Sequence, residues 1–357
     1  YHISLKHKVC YHRCMAKLKY FLYVSLILTI SSLILITMVI NTNYKILGFI
    51  LFNENQTSHE TLVYAEPIAL GPAIIFTALD EGFFENEGLK VVSQKFSAGR
   101  LALDAVLSDN ADFSSMAETP FMHSILQGND VVVVAMVSEH HEVKGIARKD
   151  KGIMKPSDLR GKKVATLPGT NSDYFMSIFL EANALKQEDV QITSMRPPEM
   201  VSALIRGDID AYFAWEPHIF FAKKELGDKV VIFDSDELYN GTHVIVMRRD
   251  FVNKHPEIVK KIVMALVKAE AFVKQNREKT IEITGRHTGM GKEALNAVYD
   301  DYKYEVKINQ NLIELLDKEA RWAINSSISK ATKIPDFKKF VHTISLKEVN
   351  SKKFNLQ

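Results

Sequence analysis

Residues Asp158–Ala184 read DLRGKKVATLPGTNSDYFMSIFLEANA. Lys163–Leu167 is a short apolar-leaning run of a length that suits a buried strand. Pro168-Gly169 breaks it, and Thr170-Asn171-Ser172-Asp173 supplies residue types that cap helices. From Tyr174 the apolar positions Phe175, Ile178, Phe179 and Ala182 recur at helical spacing. The segment therefore predicts strand, tight turn, helix. Such a helix start offers unpaired backbone N–H groups, small hydroxyls and the positive end of the helix dipole, all of which attract anions. An ordinary capped helix would use the same residues, so the anion reading gains its weight from similar junctions elsewhere.

Working outward, the flanking sequence repeats the pattern. Val190–Met195 predicts a strand, Glu199–Arg206 a helix, and Asp210–Ala214 a strand leading into Trp215-Glu216-Pro217. The helix His218–Leu226 and the strand Val230–Asp234 close this group, assigned to 146–240 as a second lobe. Before it, 61–145 forms the first part of another lobe. Strands are expected at Leu62–Glu66, Leu89–Gln94, Ala111–Met116 and Val131–Ser138, with helices at Ala73–Glu81, Leu101–Leu107 and Phe121–Gln127. Strands alternating with helices at this spacing predict a parallel α/β sheet in each lobe. Lys144–Arg148 and the region near Asn240–Val244 are read as the two crossings between lobes. His243–Arg248 returns the chain to the first lobe, and from Asp250 onward the reading is helical. Pro256–Gln275, Glu278–Arg286, Lys292–Asp301 and Gln310–Asn325 are the main helices, and Pro335–Ile344 is a last short one. This return and the C-terminal helices occupy 241–345, and 346–357 is read as a loose tail.

The N-terminal part has a different character. Phe21–Ile40 is a run of 20 residues without a charge, long enough to span a bilayer as a helix. Lys6, Lys8, Arg13, Lys17 and Lys19 precede it, which places 1–20 in the cytoplasm and the rest outside. The expectation is one uncleaved transmembrane helix over 21–40, then a linker over 41–60. Both cysteines, Cys10 and Cys14, lie in this segment, and their spacing with His7 and His12 matches no standard zinc pattern. Across all 357 residues the formal net charge is +2, which gives no reason to expect nucleic acid as a partner.

An ordered series of short motifs carries a family resemblance. Gly82-Phe83-Phe84 with Glu87-Gly88-Leu89-Lys90-Val91 comes first, then Ala111-Asp112-Phe113 and Ala117-Glu118-Thr119-Pro120. Asp158-Leu159-Arg160-Gly161-Lys162-Lys163, Gly169-Thr170, Gly207-Asp208-Ile209-Asp210-Ala211, Trp215-Glu216-Pro217 and Ala320-Arg321-Trp322-Ala323-Ile324 continue it. In this the chain resembles the periplasmic solute-binding proteins of ABC importers, of the nitrate/sulfonate/taurine-binding group with its thiamine-precursor-binding relatives. The resemblance implies an α/β type 2 periplasmic-binding-protein fold, two lobes with a ligand cleft between them. It departs from the usual free or lipid-anchored family members in the uncharged run over 21–40.

In such a fold the ligand meets loops at the carboxyl ends of strands. That selects Ile68 within Pro67–Leu70, Ser97, Gly99 and Arg100, Glu118-Thr119, Gly169-Thr170-Asn171-Ser172, and Trp215-Glu216. Thr170, Asn171 and Ser172 are the anion donors, with plain capping as the alternative for each. Glu118 and Glu216 precede helix-starting prolines, where the dipole stabilises a carboxylate. If both face the cleft they become acceptors for a ligand amine or ring N–H. Arg100 either neutralises Glu118 or clamps an acid group, and Trp215 either stacks on a flat ligand or packs. His140-His141, inside EHHE, is read as a solvated loop rather than a metal site.

The expected function is a non-enzymatic extracytoplasmic receptor, monomeric and without a cofactor. It captures a small anionic, zwitterionic or nitrogen-heterocycle solute by hinge closure and passes it to an ABC permease and its ATPase. The rival readings are a membrane-anchored ligand sensor and an enzyme of the pyrimidine-synthase or menaquinone-pathway type on the same fold.

Overall fold

Two β-sheets organise residues 60–356 in a computed structural model that describes residues 29–33, 35–40, 60–234 and 238–356. The first sheet has seven strands in the order β12-β11-β4-β10-β3-β1-β2. Their spans are β1 Glu60–Pro67, β2 Leu89–Phe96, β3 Phe113–Ala117, β4 Val131–His140, β10 Gly241–Arg248, β11 Tyr302–Asn309 and β12 Phe354–Asn355. The second has five, β7-β6-β8-β5-β9, with β5 Lys144–Arg148, β6 Lys163–Thr166, β7 Gln191–Ser194, β8 Ala211–Ala214 and β9 Val230–Phe233. β4 reads VVVVAMVSEH and is buried along nearly its whole length, as a β-branched run flanked by strands on both sides should be.

The sheets are mixed, which corrects the expectation of parallel ones. β1 runs parallel to β2 and β3, but β10 lies antiparallel between β3 and β4, and β5 lies antiparallel between β8 and β9. The cause is the connectivity. Parallel neighbours within one sheet need a crossover helix, whereas β5 and β10 each arrive directly from the other sheet. Lys144–Arg148 is therefore a central strand and not a crossing. The chain leaves the first sheet at His141–Val143 and returns between Phe233 and Gly241.

The reading of everything after Asp250 as helical misses β11. YKYEVKIN alternates strictly, burying Tyr302, Tyr304, Val306 and Ile308, and eight residues of period two are easily lost between long helices. The tail is ordered rather than loose. Ile344–Asn350 is helical with Leu346 fully buried, and β12 pairs with β11. The helix Gln310–Asn325 lies between the halves. Trp322 packs on it against Tyr174, with ring centroids 5.1 Å apart, and its Nε1 donates to Ser177 Oγ at 2.9 Å.

Residues 29–33 and 35–40 are helical, and their large apolar side chains are exposed. Among the described residues no helix is long and apolar enough to cross a membrane. The rest of the span expected over 21–40 lies outside the described residues, as do the basic segment 1–20 and the linker up to 59.

Candidate functional site

The carboxyl ends of β1, β3, β6 and β8 converge between the two sheets, each continuing into a loop or a helix start. They border a cavity of about 20 Å³ lined by Pro67, Ala69, Gly99, Arg100, Ala117, Pro120, Glu142, Thr170, Asn171, Trp215 and His243. Wider hollows, of about 170, 420 and 810 Å³, lie elsewhere, the last between the helices His218–Leu226 and Lys292–Val298. The small cavity is the candidate site because helix starts and unpartnered buried polar atoms meet there.

The turn after β6 is built by Gly169 and Thr170. Gly169 takes a left-handed φ of 75°, and its N–H donates to Asp173 Oδ2 at 3.0 Å. Thr170 precedes the helix Asn171–Ala182 but makes no capping bond through its side chain. Its hydroxyl donates instead to Leu167 O at 2.7 Å and lies 2.9 Å from Ser172 Oγ. The hydroxyls of Thr170 and Ser172 are thus engaged with the protein, and Ser172 is not among the lining residues. Asn171 is the member of this turn left available. It is 3 % exposed, lines the cavity, and its Nδ2 has no hydrogen-bond partner. The first N–H groups of such a helix have no partner within it.

Arg100 reaches this turn from the other half. It follows Gly99, where a Cβ would stand 2.7 Å from Met116 Cβ, so glycine lets the helix Gly99–Leu107 start hard against β3. The guanidinium Nη1 donates to Pro168 O at 3.1 Å. Trp215 bridges in the opposite sense, its Nε1 donating to Ile68 O at 3.2 Å. Ile68 therefore contributes a carbonyl to closure and does not line the cavity, and Ser97 stands back from it too.

Glu118 and Glu216 do not form the expected pair of free acceptors. Glu118 is fully buried and accepts from the hydroxyl of Tyr239 and from the N–H of Thr242, the latter at 2.8 Å. Thr119 donates to Glu319 Oε1 at 2.7 Å behind it. Burial raises the Glu118 carboxyl, its hydrogen bonds offsetting part of this. Burial and then the Glu118 charge raise Glu319 further. Glu216 accepts from Phe220 N at 2.9 Å, lines the large hollow rather than the cavity, and is pushed to about 7 by burial.

Glu142 and His243 line the cavity instead, and neither was selected from sequence. Burial first, then the charges of Glu118 and Glu216, push Glu142 to about 8, although Tyr302 donates to its Oε2 at 2.6 Å. Burial drives His243 down to about 3. His140 corrects the solvated-loop reading of EHHE: it is the last residue of β4 and fully buried, and burial holds its imidazole neutral. The available signal was spacing. His-x-Glu over 140–142 continues the alternation of β4, and His243 opens the otherwise apolar run HVIVM.

A family model described as NMT1/THI5 like matches residues 72–280, from the loop after β1 through both crossings. The chain belongs to the NMT1/THI5-like family. Among relatives, the taurine-binding periplasmic protein of Escherichia coli (strain K12) is 29% identical over 237 residues, covering 64% of this chain and 71% of that protein. The crystal structure of the periplasmic aliphatic sulphonate binding protein SsuA from Escherichia coli superposes with a TM-score of 0.67 at 21% identity. It covers 82% of this chain and 99% of that one. The desulfurization enzyme DSZB shares the fold at a TM-score of 0.62 and 14% identity, over 82% of this chain and 99% of that one. The NMT1/THI5-like fold therefore accommodates both binding proteins and an enzyme, and function has to be argued from the site.

Proposed function

We propose that this NMT1/THI5-like chain is an extracytoplasmic receptor for an ABC-type importer, taking a small solute that bears a sulfonate or similar acid group. One observation carries the reading. The start of the helix Asn171–Ala182, with the buried unpartnered Nδ2 of Asn171, meets Arg100 across a cavity between the two sheets. Oriented N–H donors with a guanidinium opposite suit an acid group. The taurine-binding relative and the sulphonate-binding structural neighbour support the solute class. The enzyme reading has less behind it, since no cysteine lies beyond residue 14 to act as a thiol nucleophile.

A cavity of about 20 Å³ has room for one water and not for a sulfonate. Entry then requires the halves to part about the two connections between the sheets. The bonds from Arg100 to Pro168 O and from Trp215 to Ile68 O are each worth roughly 0.5–1.5 kcal/mol net, small enough to break and remake with the solute. The closed form would then present a face to the permease and its ATPase. The uncharged run over 21–40 supports a membrane anchor for the receptor.

The test is calorimetry and thermal shift against taurine, aliphatic sulfonates, nitrate and pyrimidines, with scattering at saturation. A ligand at about 100 times its dissociation constant should add about 2.7 kcal/mol of stability and shrink the radius of gyration. Failure of every acid-bearing compound to bind, or binding with an unchanged radius, overturns the receptor reading.

A further inference from the structure

Three metal-type ligands meet at the end of β4. Alternation puts His140 and Glu142 on one side of the chain. β10 brings His243 against them, with Gly241 paired to His140 and His243 to Ser138. Nε2 of His140 lies 3.7 Å, and Nδ1 of His243 3.9 Å, from the same Glu142 oxygen. One ligand atom from each residue falls within 4.8 Å of the others.

All three side chains are buried, yet neither ring nitrogen of His140 nor Nδ1 of His243 has a hydrogen-bond partner. A buried polar atom left unpartnered is costly, and two of these, His140 Nε2 and His243 Nδ1, face one carboxylate oxygen, which calls for an explanation. Glycine makes room for the two rings. A Cβ at Gly71 would stand 2.0 Å from His243 Nδ1, and one at Gly241 would stand 2.7 Å from His140 Cε1. Tyr302 holds the second oxygen of Glu142, the kind of outer contact that orients a metal-bound carboxylate.

We propose that His140 Nε2, His243 Nδ1 and one oxygen of Glu142 bind a single divalent transition-metal ion of the zinc class. Two imidazoles and a carboxylate suit zinc, whereas magnesium and calcium prefer oxygen sets. Tetrahedral bonds of roughly 2.0–2.2 Å set ligand atoms roughly 3.3 Å apart, so the three atoms must draw together by about 0.4–1.5 Å. Three protein ligands leave one tetrahedral position open. Glu142 and His243 line the cavity that Arg100 and Asn171 also line, so that position gives onto the cleft. The site rests on these side chains alone and not on the sulfonate reading. With a cation in place, the cleft presents a second positive centre to any acid group held there.

The full-length chain, stripped with a chelator, is titrated with zinc sulfate alone, by calorimetry and by melting. The N-terminal segment carries His7, Cys10, His12 and Cys14, which can take up zinc themselves, so the readout is a difference between variants. The wild type should bind one equivalent more than Glu142→Gln, and His243→Gln should lose the same equivalent. Tyr302→Phe should keep it but bind about 10–100-fold more weakly. Equal stoichiometry in the wild type and either folded variant overturns the site. Cobalt gives a reading on the wild type alone. Nitrogen and oxygen ligands yield visible d–d bands without sulfur-to-metal charge transfer, so charge transfer accompanying every equivalent bound also overturns it.

Discussion

Two helix starts meet at the cleft, and they put the same local design to different uses. The helix Glu118–Leu126 follows β3 directly and the helix Asn171–Ala182 follows β6 across the turn 167–170, and both open on polar residues that are all but excluded from solvent. At the first, both opening polar side chains have protein partners: Glu118 holds Tyr239 and Thr242, and Thr119 holds Glu319. At the second, Thr170 and Ser172 hold each other and Asn171 is left over, pointing the chemistry toward the cavity it lines. A helix start becomes a site through what its neighbours leave unsatisfied, and that depends on chain more than a hundred residues away.

The contrast can be broken by mutation, most forcefully at Glu118. Glu118→Ala strands the Tyr239 hydroxyl and the Thr242 N–H in the core, which should cost roughly 3 kcal/mol of stability in urea denaturation. Solute affinity of the folded protein should stay within about threefold. A comparable loss of affinity at unchanged stability would make Glu118 a ligand contact and erase the distinction.

Asn171→Ala should do the reverse. Its Nδ2 makes no full hydrogen bond and only faces the Glu142 carboxyl, so the melting curve should move little. A hydrogen bond to a charged group is worth roughly 1.5–3 kcal/mol, or about a 10- to 150-fold loss in affinity by calorimetry. Unchanged affinity for the identified solute would move the acid site to Arg100.

The acidic side also predicts a pH dependence. Glu118 and Glu319 both sit above their ordinary value of 4.5, burial being the main cause. A raised folded value favours the native state, so this contribution is complete below about 4.5 and is lost as pH rises through the higher folded values. Glu319→Gln keeps an acceptor for Thr119 and removes the titration. Its melting temperature should gain on the wild type as pH rises from about 5 to about 9, and parallel curves would contradict the shared burden of charge.

The smallest effect is expected at Gly169. Its left-handed φ costs any other residue about 1 kcal/mol, while a Cβ there would meet only ordinary contacts at 3.7 Å from Arg100 and His123. Gly169→Ala should therefore lower stability by about that amount, with little change in solute affinity. A much larger loss would mean that the turn also depends on the Asp173 bond.

Local junctions were legible in the sequence because they follow from neighbouring residues. Lys163–Leu167 breaking at Pro168-Gly169 gives β6 and its turn, and His218–Leu226 is a helix with those bounds. Sheet direction was not legible, since nothing within Lys144–Arg148 says that it pairs with β8 and β9. Which candidates line the cavity was not legible for the same reason. Gly99, Arg100, Thr170, Asn171 and Trp215 line the cavity, whereas Glu118, Thr119 and Glu216 are claimed by Tyr239, Glu319 and Phe220. His140 and Glu142 look solvated beside a second histidine until β10 and β11 cover them.

The chain has two tryptophans, and both indole N–H groups donate from one half of the fold to the other, Trp215 to Ile68 O and Trp322 to Ser177 Oγ. Parting the halves would hand both indoles to water at once. The protein thus carries its own optical gauge of opening, readable as a red shift in emission without any attached dye. Trp322→Phe would leave Trp215 as a single reporter at the mouth of the cleft. Stopped-flow mixing could then time closure directly, separating a solute that waits for an open form from one that pulls the halves together.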